Sequence, residues 1–91
     1  MANYIVSYDL HHQRHYPPVW AAIERIGGVR LLESLWLVET NYTATQVRDI
    51  VAAAADGDDS IVVIELKDSA YWACLRAKKA GVDRLRQNIS A

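Results

Sequence analysis

Apolar and polar residues alternate from Asn3 through Tyr-Ile-Val-Ser-Tyr-Asp to Leu10, the period-two pattern of a half-buried strand. The strand delivers an acid, Asp9, at its end. Behind Pro17 and Pro18, the residues Val19, Trp20, Ile23 and Ile26 recur at helical spacing, and Gly27-Gly28 closes the pattern, so a first helix is predicted over about 17–26. Val29 to Thr40 is β-prone throughout but long for one strand of a small domain. The reading is two strands, Val29–Glu33 and Leu35–Thr40, meeting near Glu33-Ser34, with a single bent strand as the alternative because no Asn-Gly or Asp-Gly turn marks the reversal. Thr43 or Thr45 caps a second helix carrying Val47, Ile50, Val51 and Ala54 on one side. Ser60–Leu66 is nearly continuous in apolar residues, which predicts a central strand. Ser69 is then expected to cap a third helix holding Tyr71, Trp72, Leu75 and Arg76, stopped by Gly81 and followed by a basic tail to Ala91.

The order strand, helix, strand, strand, helix, strand is the split βαβ arrangement called ferredoxin-like: an α+β fold with an antiparallel sheet, here with a C-terminal helical appendage. One domain over 1–91 is predicted, its core at about 3–66 and the helix and basic tail at about 69–91. Two helices cover one face of such a sheet. The other face is left for a second copy, a C-terminal segment or a ligand.

Composition adds to that expectation. A chain of 91 residues that is 52% hydrophobic has room for one core and is marginal alone, so a homodimer is its natural route to bury surplus apolar surface. Ten Lys and Arg against eleven Asp and Glu exclude nucleic-acid binding by bulk charge and leave only a local patch for it. The charge is split along the chain. Acids dominate 33–68, whereas Arg76, Lys78, Lys79, Arg84 and Arg86 face only Asp83 in 69–91; the basic segment either neutralises the acidic one or touches phosphates. The lone Cys74, expected inside the third helix, excludes an internal disulfide and a multi-cysteine metal site, which fits a reducing, cytoplasmic setting. No secretory signal pattern and no membrane-spanning apolar run is present.

The chemistry-bearing residues gather after the first strand. Asp9 can meet solvent, substrate or a metal, or simply cap the next loop, and His11, His12, Gln13, Arg14 and His15 follow it. The histidines can form a solvated turn, or a loop that touches phosphate and changes charge near neutrality. Adjacent His11 and His12 point apart on an extended backbone and suit a closed zinc site poorly. Asp56-Gly57-Asp58-Asp59 lacks the spacing and closing Glu of a calcium loop. Ser34, His15 and Asp9 lack the nucleophile elbow of a hydrolase triad. Trp20, Trp36 and Trp72 sit in apolar periodic segments and read as core or interface anchors rather than base platforms.

Tyr8-Asp9 closing strand one, Arg14 in the next loop, Gly27-Gly28, the run Ser34-Leu35-Trp36-Leu37-Val38-Glu39 and the opening Asp59-Ser60-Ile61-Val62-Val63 together resemble the small CRISPR-associated nuclease that partners the adaptation integrase, or its stand-alone relatives. The resemblance spans about residues 3–66. More distantly, virulence-associated D-type RNA-cleaving toxins share the fold and the acid ending strand one. The resemblance implies a homodimer in which two copies of Asp9 approach across a twofold axis and hold Mg²⁺ for hydrolysis of phosphodiester bonds in RNA or DNA. By the same resemblance Arg14 grips a phosphate, Ser34 hydrogen-bonds a phosphate oxygen or a metal-bound water, Tyr8 orients the carboxylate, and Arg30 is a further phosphate candidate; His12 and His15 are candidate nucleic-acid contacts by their own chemistry. The chain departs from the family in placing histidines where members carry further acids and clustered arginines, and in its slightly negative charge. Two other functions fit the same fold: a catalytically inactive dimeric scaffold that binds a protein or a duplex, and a small metabolite-binding regulatory domain.

Overall fold

The computed structural model describes residues 1–11 and 16–89. Its elements are β1 (Ala2–Asp9), α1 (Tyr16–Arg25), β2 (Gly28–Leu32), β3 (Leu35–Thr40), α2 (Ala44–Ala53), β4 (Ser60–Leu66) and α3 (Lys79–Asn88). The sheet has the order β2-β3-β1-β4 with every pair antiparallel, which is the ferredoxin-like α+β fold with a C-terminal helix added. The β2–β3 reversal falls at Glu33-Ser34, where two strands are resolved and not one bent strand.

Local chemistry explains the boundaries. Pro17 and Pro18 occupy the first turn of α1, where a missing N–H costs nothing. Beyond the helix Gly27 adopts φ +97°, and a side chain there would collide with the Glu39 carbonyl, so the chain turns into β2 only with glycine. Thr43 and Gln46 form a reciprocal capping box on α2, each side chain bonding the other's backbone N–H at 3.2 and 2.9 Å.

One sheet face packs against α1 and α2 through Tyr4, Val6, Trp36 and Val38 of the strands and Val19, Ile23, Val47 and Val51 of the helices, all buried. On the opposite face, Leu31 and Leu37 meet Leu85 and Ile89 from the C-terminal segment. Of the three candidates to cover that face, a C-terminal segment does so in part.

Ser60–Leu66 is an edge strand and not a central one: α2 covers one of its faces, as a helix-covered strand requires, while on the other face Val62 and Ile64 are 54% and 55% exposed. No helix starts at Ser69; the next one begins at Lys79. Residues 67–78 run irregularly, with Tyr71 and Leu75 exposed and Trp72 folded inward to donate its indole N–H to the Ile89 carbonyl at 2.8 Å. Cys74 is accordingly exposed on an irregular stretch and not inside a helix. Gly81 lies within α3 and does not end it. A Cβ there would strike the Arg30 carbonyl and the Leu31 side chain, so glycine is what lets the helix approach β2, an approach also fixed by the Lys78 N–H bonding the Leu31 carbonyl at 2.9 Å. Among the described residues no helix is long and apolar enough to cross a membrane.

Candidate functional site

Asp9 ends β1, the strand flanked by β3 and β4. Alternation sends Tyr4, Val6 and Tyr8 into the core under α1 and α2 and puts Ile5, Ser7 and Asp9 on the other face. The register pairs Asp9 with Ser60, Ser7 with Val62 and Ile5 with Ile64. α3 and the segment before it pack on β2, β3 and the Asn3–Ile5 end of β1, where Asn88 also bonds Asn3 at 2.9 Å; what stays open on this face is the Ser7–Asp9 end of β1 with Val62 and Ile64 of β4, and the exposed Asp9 stands at its edge. Among the described residues no hydrogen bond or ion pair reaches its carboxylate.

A cavity of about 450 Å³ opens at the same end of the sheet. It brings together four of the residues singled out from the sequence as chemistry-bearing, Tyr8, Asp9, His11 and Ser34, and adds Tyr16, Trp20 and Glu33. Ser34 is carried there by the tight β2–β3 turn. The chain leaving β1 is tied down when the His11 backbone N–H donates to Asp59 Oδ1 at 2.9 Å, while Asp59 Oδ2 accepts the Asp56 N–H at 2.8 Å. The acidic turn thus braces the loop with the carboxylate a calcium loop would need free.

Tyr8 is in the cavity wall, yet its hydroxyl is fully occupied. It accepts the indole N–H groups of Trp20 and Trp36 at 2.9 and 3.0 Å and donates to the Glu33 carbonyl at 3.1 Å. Its single proton is therefore not given to Asp9. Arg30 lies outside the cavity. Its guanidinium carbon sits 4.4 Å from the Trp20 ring centre and 4.5 Å from that of Trp36, within cation–π range of both. Its Nε is buried without a hydrogen-bond partner, and Nη1 pairs with Glu33 at 3.6 Å. The structure thus places this arginine in a packing role beneath the site. His12, Arg14 and His15 lie outside the described residues.

Among the described residues no group of three or more His, Cys, Asp or Glu side chains lies close enough to hold a metal. Mg²⁺ needs only one or two carboxylates when waters and substrate phosphates complete its shell. A lone exposed Asp9 fits that requirement if a second copy or the substrate supplies the remaining ligands, and falls short of it otherwise.

Tyr16 and Glu33 were not singled out from the sequence as site residues. The signal for Tyr16 was its position four residues before Trp20 on one helix face; the two rings stack with centroids 5.8 Å apart and planes at 25°. No family model matches the chain, and no solved structure matches it.

Proposed function

We propose that this chain is a stand-alone relative of the small CRISPR-associated nuclease, acting as a homodimer that hydrolyses phosphodiester bonds with Mg²⁺ held at Asp9. The observation that carries this reading is the exposed Asp9 at the end of a central strand, beside the uncovered Val62 and Ile64 of β4. A second copy laid on that patch, with its twofold axis parallel to β1, would bury Val62 and Ile64 and bring its own Asp9 to the same end. When bound, the ion would polarise a water and offset charge on the phosphate. Asp9 would bind it, and Ser34 on the neighbouring turn would orient a phosphate oxygen or water.

Cleavage of single-stranded RNA and DNA across a Mg²⁺ titration tests the reading. Wild-type turnover should require the metal, and Asp9→Ala should lower it by about 100-fold or more, since the charge-stabilising ion loses its protein ligand. No cleavage by the wild type, or cleavage that survives the substitution, rejects it. A second reading on the same fold is a dimeric scaffold that holds nucleic acid without cutting it. A dimer that retards the same strands but leaves them whole would support that reading instead.

A further inference from the structure

Trp36, Arg30, Trp20 and Tyr16 form a continuous series of face contacts through the molecule: ring to guanidinium at 4.5 Å, guanidinium to ring at 4.4 Å, and ring to ring at 5.8 Å. Both indoles are pinned by hydrogen bonds to the Tyr8 hydroxyl, so the inner members cannot swing away. The series ends at Tyr16, which is half-buried and lines the 450 Å³ cavity that also holds Asp9, Glu33 and Ser34. A platform of fixed aromatic rings in a polar-rimmed cavity is what a planar heterocycle needs, because stacking demands a rigid face and the ring edge demands hydrogen-bond partners.

We infer that this cavity takes a single unpaired nucleobase, stacked on Tyr16, with its donor edge toward Glu33; this rests on the nucleic-acid reading above and names the strand it prefers. The Glu33 carboxylate is braced by Arg30 at 3.6 Å and Lys78 at 3.4 Å and, being 80% exposed, keeps lone pairs free for a ligand. Two adjacent N–H donors suit a carboxylate, and guanine presents them at N1 and N2, whereas adenine offers one donor beside an acceptor. Base pairing hides that edge, so the cavity selects single strands, loops or flipped bases over duplex.

The test is a titration of the metal-free protein with guanosine, adenosine, cytidine and uridine, followed by tryptophan fluorescence and aromatic NMR shifts. Guanosine should bind tightest and move the Tyr16 and Trp20 ring signals. Tyr16→Ala should weaken it by about fivefold or more while Tyr16→Phe keeps it, as expected for loss of one base–aromatic stack. Glu33→Gln should abolish the preference for guanosine over adenosine. Unfolding curves for each variant guard against a folding defect. Nucleosides that leave the Tyr16 signals unmoved, or bind Tyr16→Ala as they bind wild type, overturn the inference; equal binding of guanosine and adenosine by wild type overturns the edge assignment. Neither metal nor dimer enters this measurement. Guanosine binding without cleavage would therefore sink only the nuclease, and Asp9-dependent cleavage without nucleoside binding would sink only the base site.

Discussion

The Tyr8 hydroxyl is the most heavily used polar atom in the core, since two indole N–H groups donate to it and it donates to the Glu33 carbonyl. Trp36 is 2% exposed, so its N–H has no water to turn to if the hydroxyl is removed. Each buried polar group left without a partner costs about 1–3 kcal/mol, and Tyr8→Phe strands the Trp36 N–H, the half-buried Trp20 N–H and the Glu33 carbonyl. Urea unfolding should show a loss of about 2 kcal/mol or more, although the substitution deletes only one oxygen. A loss below about 0.5 kcal/mol would mean that the indoles find other acceptors. This also explains which parts of the site could be read in the chain. Asp9 and Ser34 were legible because a strand end and a tight turn expose whatever residue occupies them. The contacts of Tyr8 and Arg30 were not, because both depend on Trp20 and Trp36 meeting from separate elements, and no local pattern encodes that meeting.

At the level of elements, α3 shows how a tertiary contact outweighs local propensity. Gly81 is inside the helix, where alanine is intrinsically better by about 1 kcal/mol, yet a methyl group there meets the Arg30 carbonyl and comes within 2.8 Å of Leu31 Cδ2. Gly81→Ala should therefore destabilise the protein, by about 1–3 kcal/mol as for other overpacked contacts, and should expose Trp72 as the Ile89 end of the helix lifts. Red-shifted tryptophan emission together with a lower unfolding midpoint is the expected result; a stabilised variant would show that α3 can shift outward at no cost. The same competition decided what the sequence revealed of the fold. α1, β1 and α2 carry strong periodicity and local caps, and their bounds follow from the chain to within a residue or two. The stretch from Ser69 to Ala80 has Trp72 and Leu75 at helical spacing but is tied instead to β2 and to the end of α3, so the periodic signal pointed one element too early and Gly81 was taken for a stop.

For the molecule as a whole, charge and apolar surface point to different faces. Four of the five basic residues of the C-terminal segment pair within the chain: Lys78 with Glu33 at 3.4 Å, Arg84 with Glu39 at 3.7 Å, and Lys79 and Arg86 with Asp83 at 2.7 and 3.9 Å. Such partly exposed pairs add little stability singly; the uncovered apolar surface lies elsewhere, at the open end of the β1–β4 face. There Val62 and Ile64 project from an edge strand with no covering element, a feature that monomers usually blunt with charge. Under the proposed dimer, Ile64→Lys should leave the fold intact, because a side chain already 55% exposed contributes within about 0.5 kcal/mol to the monomer. It should nevertheless halve the solution mass, since a charge would then be buried against its own twofold copy. Light scattering reads the mass, and circular dichroism checks the fold. Wild-type melting should also rise with protein concentration, as it must when only the folded chain associates, while the variant's should not. If Ile64→Lys stays dimeric, the subunits join elsewhere and the two Asp9 carboxylates are not brought together by this face. If the wild type is monomeric at the concentrations where it cleaves, one carboxylate and the substrate alone must hold the metal.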